Sequence, residues 1–470
     1  MSSLVSLIGA GPGNPELITV LGKRRIEEAD IIYYDRLINK TLLTFANPNA
    51  QLVDVGKLPH YHKVKQTLIN QLLINSAKEN KRVVRLKAGD PYIFGRGGEE
   101  AQELIKANIS FEIVPGITSA IAGPGAIGIP VTHRDFSSSL HIITGHKRNN
   151  NELQIDWQNV ANLEGTLIFL MGMESLPNII QNLIKYGKKP NTPIAIVQWA
   201  THWNQKFATG TLNNIQNLVI KQNISSPSII IIGQIVKLNK ELFRNKPLQG
   251  CNVLIPQNNN KIFKYLQDNG ASVSLLPSLK IVENNFEIKR ILKAKSIFIN
   301  DLKSFDIILK RFKKENIDFR QLKAKLIVPN NFLFKKMKLL GFIPSKIQSI
   351  NKLNNYENIL IVGNKEFIEK LQLTKNHMNL IYTYTLNPVD LNNYDVNNFN
   401  NIILTSYINT KSFLISLNEQ QINIIKNQKI NILTFSNKST TLLNKYNFSY
   451  KLIQHNKKEL KNSLKKSSTL

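Results

Sequence analysis

The residues of this chain that could do chemistry follow short apolar runs, where glycine turns interrupt the regular pattern. The segment KAGDP at 87–91 follows 82–86, which we interpret as a short buried strand, and a second glycine cluster at 95–98 precedes a pair of glutamates. Gly89 can adopt backbone angles that other residues avoid. A strand that feeds a glycine turn brings bare backbone close to a small ligand. The alternative is a tight strand-to-helix connection that binds nothing.

A carboxylate, Asp35, also ends an apolar run, 30–34. Open α/β sheets place their ligands at the carboxyl ends of strands, so Asp35 and the glycine turn could share one site. Strand, turn and helix signals alternate in this way along the chain, which predicts an α/β fold. The predicted strands are 4–8, 30–34, 51–55, 82–86, 111–114, 140–144, 166–171, 192–198 and 228–232 in the first half, then 253–255, 296–299, 326–328, 359–362, 402–404 and 432–433.

The first loop, GAGPGNP at 9–15, is similar to half of the dinucleotide fingerprint G-x-G-x-x-G. Asn14 replaces the third glycine, and Pro12 and Pro15 each remove a backbone donor where the fingerprint helix should begin. The sequence therefore argues against a nicotinamide oxidoreductase.

Composition narrows the class of protein further. The 470 residues suffice for roughly three domains of ~150 residues. No apolar run approaches the ~20 residues that span a bilayer, and no basic segment precedes the first apolar run as in a signal peptide. The one cysteine, Cys251, favours a reducing compartment. We expect a cytoplasmic protein without a membrane partner. His60 and His62 lack an accompanying cysteine or acidic cluster, so we expect a solvated loop and no metal.

The net charge of +29 is uneven. Residues 1–250 hold 27 Lys+Arg and 18 Asp+Glu, a net +9, and the remaining 34 and 14 give +20. Such an excess suits a polyanionic partner, and a nucleic-acid-binding protein is one hypothesis. The basic residues are mostly lysines scattered among asparagines, without the aromatic residues that RNA-binding proteins interleave with arginines. Compositional drift explains most of the charge, and no nucleic-acid partner is predicted.

The ordered motifs of the first half resemble the tetrapyrrole methylase family, and within it the uroporphyrinogen-III C-methyltransferases. The resemblance covers about residues 4–240. It is carried by LIGAGPGNPELIT, DIIYYDRL, VGK, RLKAGDPYIFGRGGEE, VPGITSA, GIPVTHRD, TLIFLMGM, TPIAIVQWAT and GTL. It implies a methyltransferase at 1–245, with two α/β subdomains at about 1–115 and 116–245.

The resemblance also implies a cofactor, S-adenosyl-L-methionine, and a set of site residues. The cofactor positions correspond to Pro12, Ala88, Gly89, Asp90, Ile93, Thr118, Ser119, Met171 and Ala200. Asp35 matches the family's proposed proton acceptor and Lys57 its proposed proton donor. Arg36, Arg96 and Arg134 lie in motif loops and could pair with substrate carboxylates. The family usually has glycine where this chain has Ala88, and the extra methyl narrows the approach of backbone to cofactor.

The implied reaction is C-methylation of uroporphyrinogen III at two ring carbons to give precorrin-2, which leads to sirohaem or cobalamin. The main task of such an enzyme is to place a sulfonium methyl in line with a reactive carbon, and Asp35 could remove a proton. The family also implies a homodimer.

Residues 249–455 are similar to uroporphyrinogen-III synthase in order, length and a few positions. Thr405-Ser406 resembles a strand-ending Thr-Ser, and Tyr382 or Tyr384 resembles the tyrosine between its two domains. Pro256-Gln257 and Asn300-Asp301 depart from the pattern. The resemblance implies discontinuous lobes, at about 249–283 plus 385–455 and at 284–384, followed by a disordered basic tail at 456–470. The second half could be an active synthase or a catalytically inactive structural region.

Overall fold

The computed structural model describes residues 4–47, 49–56, 66–145, 155–257, 260–276, 278–347, 353, 356, 359–372, 379–389, 391, 395–454 and 456–464. The strands are β1 (Val5–Gly9), β2 (Ile31–Tyr34), β3 (Gln51–Asp54), β4 (Val83–Lys87), β5 (Phe111–Val114), β6 (Leu140–Thr144), β7 (Thr166–Leu170), β8 (Pro193–Gln198), β9 (Lys206–Thr211), β10 (Ser228–Ile232), β11 (Asn252–Ile255), β12 (Ser272–Leu275), β13 (Leu279–Glu283), β14 (Ser296–Ile299), β15 (Lys325–Val328), β16 (Ser345–Lys346), β17 (Ile359–Asn364), β18 (Asn379–Pro388), β19 (Asn401–Leu404), β20 (Asn431–Thr434) and β21 (Tyr450–Leu452). The helices are α1 (Val20–Glu28), α2 (Gln66–Lys78), α3 (Gly97–Lys106), α4 (Ser119–Ala126), α5 (Trp157–Asn162), α6 (Leu176–Lys185), α7 (Ile215–Lys221), α8 (Asn239–Leu242), α9 (Asn260–Asp268), α10 (Ile288–Lys293), α11 (Leu302–Lys314), α12 (Asn331–Leu339), α13 (Lys365–Gln372), α14 (Tyr407–Ser416), α15 (Glu419–Asn427), α16 (Asn437–Lys445) and α17 (Lys457–Ser463).

The first sheet is entirely parallel, in the order β3-β2-β4-β1-β5. Strands β1 and β4 are buried along their whole length, as expected for central strands with both faces covered. Because all five strands run the same way, their carboxyl ends meet at one edge. That edge holds the first loop, Asp35, the 87–91 turn and the turn after β5.

The second sheet is mixed, in the order β6-β7-β10-β8-β9. Strand β10 is antiparallel to both of its neighbours, and β6 and β7 are parallel. One apolar cluster on this sheet includes Phe169, Ile196 and Ile230 and packs under α6 and α7. A second cluster includes Ile168, Ala195 and Ile231 and contains Ala120 of α4. The turn after β5 leads into α4, and so links the two sheets.

The second half contains two further sheets. The chain begins one of them, leaves it to build the other, and then returns to complete it. The parallel sheet β12-β11-β19-β20-β21 receives the chain first and last. Between these visits the chain builds the sheet β13-β18-β17-β14-β15-β16. The predicted lobe boundaries were wrong for 279–283 and 385–388, because β13 and β18 pair antiparallel in this second sheet.

Two other features complete the described chain. The tail prediction was wrong for residues 457–463, which form α17, since Leu460 and Leu464 lie one helical turn apart and pack into an apolar cluster with Leu266. The two halves meet where the hydroxyls of Thr41 and Ser274 lie 2.7 Å apart. Within the described ranges, no helix is long and apolar enough to cross a membrane.

Candidate active site

Three glycines at the carboxyl edge of the first sheet allow β1, β4 and β5 to approach each other closely. A Cβ added to Gly116 would lie 2.2 Å from the Gly89 carbonyl oxygen, and one added to Gly9 would lie 2.5 Å from Gly116 Cα. Gly89 has φ 69° and exchanges two backbone hydrogen bonds with Gly11, of 2.9 and 3.2 Å. Any larger residue at Gly9 or Gly116 would force these loops apart.

The Asp90 carboxylate fixes the central turn. Its Oδ1 accepts from the Tyr92 amide at 2.8 Å, and its Oδ2 accepts from the Gly116 amide at 3.0 Å. Asp90 thereby ties the turn after β4 to the turn after β5, and Thr118 then caps α4 by accepting from the Ala120 amide. We infer that Asp90 shapes the loop and that its oxygens are already engaged.

Ala88 fits this turn without strain. Gly89 has a positive φ and Ala88 does not. The Ala88 methyl packs beside an apolar cluster that includes Ile8 and Leu86. The methyl group therefore faces the core of the first subdomain. It does not narrow the space between the backbone of the 87–91 turn and a cofactor, as the sequence interpretation expected.

Non-glycine residues with left-handed backbone angles gather at the strand-end loops of the first half. Their φ angles are 53° at Phe94, 59° at Arg96, 55° at Met171, 48° at Trp199 and 66° at Thr201. A positive φ is especially costly for a β-branched residue such as threonine. Backbone strain of this kind clusters at ligand sites, where the surrounding structure enforces it.

Apolar side chains near these loops remain open to solvent. Met171 is 51% exposed, Tyr92 53% and Phe94 44%. Ile93, Ile117 and Ile121 are exposed as well. Single exposed apolar residues are ordinary, but five in the loops after β4, β5 and β7, with Ile121 in the first turn of α4, suit an apolar ligand surface. Of the other predicted cofactor residues, Ala200 is buried, and Pro12 and Ser119 are half-buried.

The first loop is held against the end of β8. The Asn14 amide donates to Thr201 Oγ1 at 3.1 Å, and a Cβ on Gly13 would lie 2.2 Å from His202 Cδ2. His202 meets Trp199 edge to face at 5.1 Å. Burial lowers the pKa of His202 to about 4, so the ring is neutral at pH 7. The second sheet thereby positions the first loop.

A buried charge cluster, formed by Asp35, Arg85, Lys87 and Glu100, lies beneath the strand ends. Arg85 Nη2 donates to Asp35 Oδ1 at 2.5 Å, and Arg85 Nε donates to Glu100 Oε1 at 3.1 Å. Lys87 Nζ donates to the same Glu100 oxygen at 2.9 Å. Burial, followed by the Arg85 charge, lowers the pKa of Lys87. The Asp35 side chain is 32% exposed, whereas the other three are almost fully buried.

The sequence interpretation did not select Arg85, Lys87 or Glu100. A signal was present, because two cations two residues apart in a buried strand must face the same side and need a partner there. Among the predicted substrate cations, Arg96 is paired with Glu99 at 2.7 Å. Arg36 and Arg134 are exposed and have no ion pair with a described residue. Lys57, with His60 and His62, lies outside the described residues.

The predicted residues of the second half fall in two different sheets. Thr405 and Ser406 end β19, where Ser406 caps α14 and Asn409 Nδ2 reaches both Thr405 Oγ1 and Gln257 Oε1. Tyr384 is buried and donates to Asp301 Oδ1 at 3.2 Å. Its pKa is raised by burial and then by the Asp301 charge.

Tyr382 differs from Tyr384, because 45% of it is exposed. The two tyrosines flank a register shift between β17 and β18. The Tyr384 hydroxyl is bonded to Asp301 within its own lobe. Tyr382 is therefore the tyrosine that is more accessible to a ligand.

The fold is that of an α/β protein, and its candidate small-ligand site lies at the carboxyl edge of the first sheet. A family model described as Tetrapyrrole (Corrin/Porphyrin) Methylases matches residues 4–216. The chain is 40% identical over 380 residues to a uroporphyrinogen-III C-methyltransferase of Bacillus subtilis (strain 168), covering 79% of this chain and 77% of that protein. The chain belongs to the tetrapyrrole methylase family.

Two further similarities are confined to about half of this chain. A uroporphyrinogen-III C-methyltransferase of Priestia megaterium is 49% identical over 235 residues, which cover 50% of this chain and 99% of that protein. The solved uroporphyrin-III C-methyl transferase from Thermus thermophilus complexed with S-adenyl homocysteine is 33% identical, with a TM-score of 0.44. It covers 50% of this chain and 100% of that chain.

Proposed function

We propose that residues 1–245 catalyse S-adenosylmethionine-dependent methylation of uroporphyrinogen III at two ring carbons, giving precorrin-2. The observation that carries the proposal is the close approach of Gly9, Gly89 and Gly116, which leaves bare backbone at the edge where α/β sheets bind ligands. The names of the relatives supply the substrate, and the family resemblance supplies the cofactor.

The residues present fit the cofactor. A Cβ on Gly9 or Gly116 would collide with the neighbouring loop, so these glycines preserve a narrow backbone cradle. Ile93, Met171 and Tyr92 offer apolar surface nearby, and Thr118 begins α4 beside Gly116. S-adenosylmethionine supplies a methyl group on a sulfonium when it is bound. The cradle contributes by fixing the position of that group relative to the substrate.

Asp35 is the proton acceptor in this proposal. It is part exposed at the end of β2, where the Arg85 guanidinium holds its Oδ1. A carboxylate that is oriented by a buried cation and open to solvent on one side can take a proton from the rearranging ring system. We assign Lys57 as the proton donor from the family resemblance. Arg36, Arg96 and Arg134 would pair with the substrate carboxylates, and Arg96 would exchange Glu99 for the substrate.

For the second half we propose weak uroporphyrinogen-III synthase activity in residues 249–455. Thr405, Gln257 and Asn409 gather at the carboxyl ends of β11 and β19, which supports a ligand at that edge. Asp301 stands where the synthase pattern has a hydroxyl residue, and its charge would repel an acidic substrate. A structural role for this half is the competing hypothesis.

The assembly and location are also part of this proposal. We propose a homodimer that acts in the cytoplasm on a small tetrapyrrole and does not bind nucleic acid. The family resemblance supports the dimer, and the one, buried cysteine, Cys251, is compatible with a reducing compartment. Sedimentation would test the first point, and salt-dependent DNA or RNA binding at nanomolar protein would contradict the last.

The experiment that tests the proposal is isothermal titration with S-adenosylmethionine, followed by an anaerobic assay with uroporphyrinogen III. We expect saturable cofactor binding and a product that carries two added methyl groups. Cofactor binding without methylation of uroporphyrinogen III would support the proposed cofactor and contradict the proposed substrate. Absence of both would reject the proposed function.

A further inference from the structure

Glu100 is the most deeply buried acidic residue of the charge cluster, with none of its surface exposed. Its Oε1 accepts from three donors on two other elements: Arg85 Nε at 3.1 Å, Lys87 Nζ at 2.9 Å and Gln66 Nε2 at 3.0 Å. Its Oε2 is buried and has no partner among the described residues. A buried carboxylate is costly unless it is paired and hydrogen-bonded, and Arg85 and Lys87 supply two cationic partners here.

The group held in place is the Arg85 guanidinium. Its Nε meets Glu100, its Nη1 meets the Leu86 carbonyl at 3.3 Å, and its Nη2 meets Asp35 at 2.5 Å. The guanidinium is planar and rigid, so contacts at Nε and Nη1 determine where Nη2 points. Glu100 therefore reaches Asp35 through Arg85 and does not touch the substrate edge itself.

We propose that Glu100 is a positioning residue, which orients Asp35 for proton transfer by locking the Arg85 guanidinium. This inference rests on the proposed function, in which Asp35 is the proton acceptor. The remaining charged member, Lys87, neutralises the cluster from the same strand: two cations, Arg85 and Lys87, face two carboxylates, Asp35 and Glu100. Loss of Glu100 leaves Arg85 free to turn and leaves Lys87 without its anion.

The test uses Glu100→Gln in the full chain, because glutamine keeps the size of the side chain and removes its charge. Glu103→Gln is the matched control, since Glu103 lies on the same helix, is exposed and pairs only with Lys106 among the described residues. Single-turnover methylation of uroporphyrinogen III and the dissociation constant of S-adenosylmethionine are measured for each. We expect Glu100→Gln to lower the rate about tenfold, a part of what a positioned base contributes, with cofactor affinity within about twofold of wild type. Glu103→Gln changes neither quantity.

A double-mutant cycle separates positioning from a general structural effect. If Glu100 acts through Asp35, then Glu100→Gln causes no further loss of rate in the Asp35→Ala background. An equal loss in both backgrounds, or no loss in the wild-type background, overturns the proposal.

A crystal structure of Glu100→Gln gives a readout that does not depend on activity. We expect the Arg85 Nη2–Asp35 Oδ1 contact to be broken. A retained contact overturns the positioning role, even in a chain that fails to methylate uroporphyrinogen III. Failure of the wild-type chain to methylate this substrate counts against the proposed function alone.

Discussion

The two halves of this chain use the carboxyl ends of their parallel strands in opposite ways. In the first half, left-handed non-glycine residues such as Phe94, Met171 and Thr201 lie in strand-end loops. In the described part of the second half, all such residues follow the end of a helix: Asn316, Lys429 and Asn447. The first half has helix-end residues of this kind as well, at Asn80, Asn108 and Asn223, but the strand-end ones occur in the first half alone among the described residues. A left-handed residue after a helix is an ordinary terminator. Strain at strand ends is characteristic of ligand sites.

Polar groups show the same contrast. In the first half, Asp35 presents a partly exposed carboxylate on a buried cation. In the second half, Asp301 caps α11 through the Ser304 amide and also accepts from Tyr384, and Ser406 caps α14. The strand-end polar groups of the second half therefore mostly accept hydrogen bonds from the first backbone amides of the helices that follow them. The comparison favours the strand ends of the first half as the candidate ligand site and describes the second half as closer to a relaxed α/β scaffold.

The largest expected effect comes from Gly116→Ala. The added Cβ would meet the backbone oxygen of Gly89 at 2.2 Å, and backbone cannot rotate away as a side chain can. We expect S-adenosylmethionine binding to weaken by about 100-fold or more, the scale of a misplacement near 1 Å. Titration calorimetry measures it.

Gly125→Ala is the matched control for that change. Gly125 lies in α4, nine residues further on, and a Cβ there would meet nothing within 4 Å. We expect unchanged cofactor affinity and a melting temperature that is equal to or slightly above that of the wild type, because alanine favours a helix more than glycine does. If Gly116→Ala bound the cofactor as tightly as Gly125→Ala, the backbone cradle would have no role.

The next effect is a loss of folding stability in acid, which we expect in the first half because His202 is buried there. Burial lowers its pKa from 6.5 to about 4, so the unfolded chain binds a proton that the folded chain resists. The burial of neutral His202 therefore costs no stability above pH 6.5. As the pH falls from 6.5 toward 4, protonation of the unfolded chain lowers the free energy of unfolding. The loss should be on the order of 2 kcal/mol, since the ring retains partial exposure. His202→Gln should flatten the decline in denaturant unfolding between these pH values, and an unchanged slope would contradict it.

A smaller effect is expected in the second half. Its net charge of +20 should attract the acidic linear precursor hydroxymethylbilane. We expect weak formation of the inverted isomer, uroporphyrinogen III, that falls as salt shortens the screening length from about 10 Å at 0.1 M to about 3 Å at 1 M. Isomer analysis of the product measures it. If only isomer I forms, as in the spontaneous reaction, the second half is structural.

The smallest effect is expected from Ala88→Gly. Ala88 has no positive φ and its methyl packs on the core, so glycine loosens the turn by up to ~1 kcal/mol while activity and cofactor affinity stay intact. Calorimetry and thermal unfolding measure the two quantities. A clear loss of cofactor affinity would show that the methyl group is an adapted part of this site.

Much of the sheet structure was predictable because most of its strands are short, mainly apolar runs bounded by turn residues. The predicted strand 228–232 matches β10, and 111–114 matches β5. The missed strands include β9 and β13, each of which lies at a sheet edge and pairs antiparallel with its one neighbour. Their sequences, KFATGT and LKIVE, are part polar, since only one face or end is covered. Such strands lack the apolar run on which the predictions relied.

The candidate site was predictable in outline and not in its contacts. Glycine turns after apolar runs marked the loops at Gly9 and Gly89. The close approach of Gly116 to Gly89 and the pairing of Arg85 with Glu100 were not predictable. Both depend on packing between segments that are far apart in sequence. Glu100 entered the sequence interpretation only as one of the two glutamates after the glycine cluster, whereas the structure buries it against Arg85. A charge in a buried strand indicates a partner, but the sequence does not say which one.

The most direct test of the account is the effect of Asp35→Ala on single-turnover methylation of uroporphyrinogen III. Asp35 is the one carboxylate of the charge cluster with substantial exposure, so its removal should act on chemistry and leave the glycine loops in place. We predict a rate about 100-fold lower, the usual scale for a positioned acid or base, with S-adenosylmethionine affinity near wild type. An unchanged single-turnover rate would remove Asp35 from the mechanism and contradict the assignment of this sheet edge as the catalytic site.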